Sequence, residues 1–488
     1  MHDRKWWILS VTSLGALLSA LNFSTLIIAL PDLIKGLHAS LLQAMWVMLA
    51  YMVSQTVAVL MAGSLADRFG RKRLYMWGMI LFTAVSLLSG FSGNAVLLII
   101  CRILQGIGGA MVMANSTAIV ADAFPRQELG RALGINIMVV AVGQIIGPVL
   151  GGWLTTAYGW EWTFWFNVPF GVIAIVWGMW AMGMKDAKPT GAAKKFDLGG
   201  TIYYVLFMTG LLLGLTWGPI QTWNSPVVYV SFLVFVICFP LFIRAEKRHP
   251  AALLHLPLFK NVVFTLGIVT ATLNGLARMA VMFMLIFYFQ GALSYDALEA
   301  GILTIPLAAG MLIVSPIAGW LGDKFGETMP ATVGILFGLA GLVGLALDTG
   351  LHTPYWQLAF WMTLMSIGGG LFNSPNSSSI MNAAGPRFRG EASGIRSLTA
   401  NLGMMLSVAF TIPLVTRSIP KDAMLAIFSG TQVGLANPEK SLAGFIQGLH
   451  TVFWVMAGLM VVACLLSVMR AGRTSVQGTH PDRRQVNL

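Results

Sequence analysis

Apolar runs of 18 residues or more, separated by short polar stretches, follow one another through all 488 residues. A helix rises about 1.5 Å per residue, so such runs cross a bilayer core about 30 Å thick. The ten-residue alternation expected of barrel strands is missing. The pattern predicts an all-α polytopic protein with fourteen spans, at 6–30, 43–63, 74–92, 95–120, 132–156, 164–184, 199–217, 226–243, 262–289, 298–321, 331–348, 355–381, 394–416 and 449–469. The first run follows Arg4 and Lys5. It is longer than the apolar region of about 7–15 residues in a signal peptide and reads as a retained span. Composition agrees: 10% of residues are charged, against about 25% in soluble chains, and mean hydropathy is +0.78.

Two repeats divide the chain. GSLADRFG at 63–70 returns as GWLGDKFG at 319–326, an offset of 256 residues. Gly63, Asp67 and Gly70 recur as Gly319, Asp323 and Gly326. Gly109 and Asn115-Ser116 are echoed by Gly370 and Asn376-Ser377, and AFPRQELGRALG at 123–134 by AAGPRFRGEASG at 383–394. The offset pairs spans one and two with spans nine and ten and leaves spans seven and eight without counterparts. The expected organisation is a six-helix bundle over 1–184, linkers and two extra spans over 185–260, a second six-helix bundle over 261–470 and a tail over 471–488. Two related halves in a membrane place a substrate between them.

The net charge of +12 belongs to topology. Of the 30 Lys and Arg, 23 fall in the termini and the alternate loops on one side, while only Lys35, Arg417, Lys421 and Lys440 fall on the other. The positive-inside bias then puts both termini and the repeated turns in the cytoplasm, with the chain multi-pass in the cytoplasmic membrane. The partners expected are a small-molecule substrate, protons and the lipid bilayer, and not nucleic acid. Cys101, Cys238 and Cys464 sit in apolar spans, and no CxxC or HExxH occurs. No metal, cofactor or catalytic constellation is expected, so the chain does not read as an enzyme.

The turn G-x-L-A-D-R-F-G-R-K-R at 63–73 resembles the signature of the major facilitator superfamily, and the fourteen spans resemble its drug:proton antiporter branch. LNFSTLIIALP at 21–31 is similar to that branch's first-span pattern. Arg102, Gln105, Gly106 and Gly108 match its R-x-x-Q-G-x-G. Gly134, Gly143, Gly147, Pro148, Gly151 and Gly152 match the antiporter motif of span five in full. The resemblance implies two bundles that rock about a central site and export small compounds by proton antiport. It also implies a cytoplasmic latch, here Gly63, Asp67, Gly70, Arg71 and Asp122, with Asp323 in the second copy. Glu327 replaces the basic residue at the position matching Arg71, so the second latch reads as degenerate. Independently of any family, glycines let helices approach closely and Pro148 bends its helix, which suits a hinge.

Charged residues inside spans are costly and point to function. The spans contain Arg102, Arg278 and Arg396 but no acid near a centre. Counting about 1.5 Å per residue, Asn22, Arg102 and Arg278 lie roughly 13, 11 and 16 Å from the outer ends of their helices. Adding 256 to Asn22 lands on Arg278. The resemblance implies an acid at position 22 to carry the coupling proton beside Arg102, and Asn22 cannot titrate. The cavity expected from Asn22, Arg102, Gln105, Gln144, Asn274 and Arg278 is positive and suits an anionic, zwitterionic or neutral amphipathic substrate. The alternative is that each Arg bonds to carbonyls or to these amides and only fixes packing. Asp32 and Glu161 are the alternative proton carriers, or else interfacial acids. Arg396, near the cytoplasmic end of span thirteen, reads as structural or as part of the latch region. An importer or facilitator of an organic anion, and more remotely a membrane-embedded lipid-modifying enzyme, are the rival functions.

Overall fold

The computed structural model describes residues 2–124, 126–182, 198–220, 222–248, 256–417, 419, 427 and 438–478. All regular structure among them is helical: α1 (His2–Gly36), α2 (Leu41–Phe69), α3 (Arg71–Ser89), α4 (Ala95–Ala123), α5 (Arg126–Tyr158), α6 (Trp162–Trp165), α7 (Asn167–Met182), α8 (Leu198–Ile220), α9 (Pro226–Arg248), α10 (Val262–Phe287), α11 (Ala297–Leu303), α12 (Pro306–Phe325), α13 (Thr328–Asp348), α14 (Tyr355–Thr416) and α15 (Pro438–Gly478). The basic linker after Met182, most of the loop 417–448 and the end of the tail lie outside the described residues.

Eleven segments among the described residues are long and apolar enough to cross a membrane. The expected spans missing from that set are three, five and twelve. Each is nonetheless helical, as α3, α5 and the first part of α14. Composition explains two of the three: α3 opens on Arg71-Lys72-Arg73, and α14 carries Asn373-Ser374-Pro375-Asn376-Ser377-Ser378-Ser379.

Polar residues start the helices where the apolar runs begin. Ser40 and Gln43 form a reciprocal capping box at α2, Asp296 and Glu299 do the same at α11, and Asn94 and Asn261 accept backbone N–H groups at α4 and α10. Gly70 at φ 96° and Gly326 at φ 83° turn the chain at matched positions of the repeat. Gly385, at φ 73°, folds α14 into two passes. A side chain is strained in that region, which is why these turns need glycine. The face carrying these three turns is called the turn face here, and the opposite one the far face.

We call α1–α7 the first half and α10–α15 the second. α5 holds them together. Its glycines 143, 147 and 151 lie against Leu17, Ser24 and Thr25 of α1, and a Cβ on Gly147 would fall 1.8 Å from Ser24 Oγ. One residue further round, a Cβ on Gly152 would fall 2.4 Å from the Ala297 carbonyl of α11, while Gly301 lies against the Pro148 carbonyl. Gln290 donates to the Ile28 carbonyl at 3.3 Å. One apolar core runs from Leu26–Ile34 of α1 into Phe283–Phe289 of the second half, so the far face is closed.

The unmatched pair α8 and α9 packs together beside these halves. Tyr204 of α8 donates to the Thr56 carbonyl of α2 at 3.1 Å, and the same apolar cluster includes Leu398 and Met405 of α14. α9 turns Tyr229, Val230, Leu233 and Val236 outward.

The α5 contact is open to test. Gly152→Ala should cost about 1–3 kcal/mol, because the new methyl meets backbone. Gly458→Ala, with nothing within 4 Å, should instead gain up to about 1 kcal/mol of helix propensity. Thermal melts of the detergent-solubilised protein read both.

Candidate functional site

In the first half, Asn22 of α1 and Arg102 and Gln105 of α4 form one buried network. Arg102 Nη1 donates to Gln105 Oε1 at 2.5 Å and to Asn22 Oδ1 at 3.3 Å, and Nε donates to the Val47 carbonyl at 3.1 Å. Gln105 Nε2 donates to Asn22 Oδ1 at 3.2 Å and to Ser86 Oγ at 2.6 Å. Asn167 Nδ2 reaches the same Asn22 oxygen at 3.4 Å. The guanidinium stacks over Tyr51, 4.4 Å from the ring centroid, with Phe164 at 5.7 Å. Arg102 and Gln105 are 0% exposed and Asn22 is 1%.

Polar atoms of this network go unmatched. Three donors converge on one oxygen of Asn22. Asn22 Nδ2 and Arg102 Nη2 find no acceptor among the described residues, and Asn167 Oδ1, an acceptor in the same network, finds no donor. Two buried donors left over beside a positive charge fit the shape of a carboxylate at position 22. Asparagine supplies that shape with one acceptor oxygen and no charge.

Arg278 stands apart from it. Its guanidinium lies in the second half, against Gly369 of α14, and its Nη1 donates only to the thioether of Met311 on α12, at 3.3 Å. It is half-buried, and a thioether is a weak acceptor. Asn274, one turn earlier, is buried. Arg102 and Arg278 are therefore not brought together: one is locked among amides, the other retains accessible donors. Arg396 does not snorkel to the turn face but reaches Ser377 Oγ at 3.4 Å. Asp32 lies near Lys35 and Asp296, and Glu161 sits against Gly159 in the turn before α6, both at the far face. Neither touches Arg102. An apolar crevice of about 420 Å³ between α1 and α5, lined by Trp6, Leu9, Leu17 and Val139 among others, includes none of the residues nominated for the cavity.

At the turn face, Arg71 Nη1 meets both Asp122 oxygens at 3.0 Å. The partners are 38% and 61% exposed, so the pair contributes at most about 1 kcal/mol and acts through where it sits. In the second copy Glu327, at the N-cap of α13, accepts from Asn382 Nδ2 at 2.7 Å. Behind it, the fully buried Arg470 donates to Asn376 Oδ1, while Asn376 Nδ2 donates to the Gly267 carbonyl at 3.1 Å. The side chains of Asp67, Asp323 and Gln144, and the packing of Gly134, lie outside the described residues.

Sequence reasoning passed over Asn167, Tyr51, Ser86 and Arg470. Asn167 was visible as the one amide in WTFWFNVP, and Arg470 as a cation one residue beyond the last apolar run. The orphaned donors have a direct test. Asn22→Asp should raise stability by about 1–3 kcal/mol by removing an orphaned donor and giving Arg102 a charged acceptor. A thermal melt that falls instead would show that the amide is the better fit.

Comparison with known proteins places this geometry. The sequence pattern of the Major Facilitator Superfamily matches residues 12–408. The riboflavin transporter RibZ of Clostridioides difficile (strain 630) is 32% identical over 93% of this chain and 98% of its own. The tetracenomycin C resistance and export protein of Streptomyces glaucescens is 27% identical over 99% of this chain and 94% of its own. The multidrug resistance protein Stp of Mycobacterium tuberculosis (strain ATCC 25618 / H37Rv) is 27% identical over 91% and 84%. By its family match and its transporter-named relatives, the chain is a multi-pass membrane transporter and belongs to the Major Facilitator Superfamily.

Proposed function

We propose that this transporter exports small amphipathic compounds across the cytoplasmic membrane, with both termini in the cytoplasm, by alternating access coupled to proton antiport. The observation that carries the proposal is the double contact of α5. Its glycine edge lies on α1, while Pro148 and Gly152 lie on α11 of the other half. A proline-bent helix that touches both halves through backbone is suited to transmit rocking between them. Relatives named for resistance and export support the direction of transport, and the excess of Lys and Arg on the turn face supports the orientation.

The coupling acid is not in the central network, since Asn22 does not titrate. We assign the proton to Asp32, half-buried at the far face beside Lys35 and Asp296. The substrate's negative group, where it has one, goes to Arg278, which holds no carboxylate among the described residues. An organic-anion facilitator is the second reading, favoured by that same unpaired cation.

Proteoliposome transport separates the two. Riboflavin, the substrate named for one relative, serves as the uncharged probe, and flavin mononucleotide adds a phosphate to the same ring system. Uptake of probe by the reconstituted chain should respond to an imposed pH gradient, and Asp32→Asn should lose that response while retaining probe-for-probe exchange. Uptake indifferent to the gradient in the wild type would favour the facilitator. Arg278→Gln should weaken flavin mononucleotide about tenfold relative to riboflavin, equivalent to about 1.4 kcal/mol.

A further inference from the structure

Arg278 lies on α10 and Arg396 on the second pass of α14. α14 connects them. Gly369, Asn373 and Ser377 fall at i, i+4 and i+8, on one face of its first pass and about 12 Å from end to end. The Arg278 guanidinium packs on Gly369, where a Cβ would fall 2.6 Å from Nη1. Met311 Sδ receives both Arg278 Nη1 and, at 3.9 Å, Asn373 Nδ2. Ser377 Oγ donates to the Asn373 carbonyl at 2.7 Å and accepts from Arg396 Nη1 at 3.4 Å. Arg278, Asn373, Ser377 and Arg396 are all half-buried. No carboxylate pairs with either arginine among the described residues. Two residues before Arg396, Gly394 comes against Leu60 of the first half, so this stretch of α14 lies at the seam between the halves.

We infer that this face of α14 is a two-station anion path, with Arg396 nearer the turn face and Arg278 deeper. It fits an amphipathic compound bearing one carboxylate, sulfonate or phosphate. The negative group is received at Arg396 and passed two helical turns inward to Arg278, with the Asn373 amide and Ser377 hydroxyl as neutral rungs between. Two uncompensated cations spaced along a polar face lower the free energy of an anion over the whole interval and raise that of a cation. The contrast with Arg102 makes the path selective for this half. Arg102 is fully buried and spends Nε and Nη1 on Val47, Gln105 and Asn22, whereas the half-buried Arg278 and Arg396 meet only a thioether and one hydroxyl. This inference rests on the assignment of the substrate's negative group to Arg278 and adds a second station to it.

The test needs no knowledge of the natural substrate. Cys101, Cys238 and Cys464 are replaced by Ala in the full-length chain, and Asn373→Cys is introduced in that background. The thiol is treated with methanethiosulfonate reagents of similar size, one bearing a sulfonate and one a trimethylammonium group. Rates are normalised to those at Thr222→Cys, on the exposed loop between α8 and α9. The sulfonate reagent should be favoured about tenfold at Asn373→Cys, the order expected for cations within several ångströms at intermediate dielectric. Arg396→Gln should remove most of that preference, and Arg396→Lys should keep it. If Arg278→Gln lowers the preference and Arg396→Gln does not, the second station is wrong and the Arg278 assignment stands. If neither variant changes it, or the cationic reagent is favoured, both fall. A thiol that reacts with neither reagent overturns the path, since no ligand then passes Asn373.

Discussion

In lipid, helices gain little from burying apolar side chains against one another, because the surrounding chains are as apolar as leucine. Association has to come from close contact of backbones and from hydrogen bonds. In this chain α5 supplies much of the close contact. Its glycines admit α1 on one side and α11 on the other, at separations where any side chain would collide with main-chain atoms or with Ser24. The closed far face and the joint between halves both depend on that ridge. So does the placing of Asn22, which α1 carries into the first half one helical turn from the Gly143 contacts at Leu17 and Ala20.

The second constraint is the cost of charge in a low dielectric. An isolated guanidinium in the bilayer is expensive, and the protein meets that expense in two ways. Around Arg102 it surrounds the charge with amides, a carbonyl and two aromatic rings. Among the described residues the charge has no counter-ion, and two donors are left over. Around Arg278 and Arg396 the charge is half-buried and, among the described residues, meets only a thioether and one hydroxyl. The second arrangement is the one on which the proposed anion path rests. Expecting a single positive cavity merged two sites that the structure keeps apart.

What was legible in the sequence follows from the same physics. The helices and the matched turns at Gly70 and Gly326 were readable, because long apolar runs and positive-φ glycines leave strong local marks. Arg102 and Gln105 stood out as polar residues in an apolar run, and the family resemblance implied that position 22 lies beside Arg102. Partners across helices were harder. Asn167 sits in an aromatic stretch that looks interfacial, and Arg470 falls just past the last apolar run, yet both are buried because neighbouring helices extend beyond the apolar limits. The polar stretch 373–379 was seen only as part of a repeat. Its division of labour, with Asn376 turned to Arg470 while Asn373 and Ser377 face the arginine side, depends on helix rotation, which composition does not encode.

The duplication acquires a different meaning once these contacts are known. A matched offset places Asn22 opposite Arg278 in the repeat, and a symmetric ancestor would have given the two halves similar chemistry there. The two halves differ there. In the first half position 22 is an amide, which does not titrate, and Arg102 is held by hydrogen bonds. In the second, a cation faces a polar helix surface with no carboxylate beside it among the described residues. The same exchange recurs at the turn face, where Arg71–Asp122 in one half corresponds to Glu327–Asn382 in the other. Each contact survives with its charge altered. A transporter needs its halves alike in shape to rock about a common axis, but it gains from unlike chemistry, because a ligand that binds one wall and is released by the other must be held asymmetrically. Here the shape is conserved through glycine and the asymmetry is written in arginine.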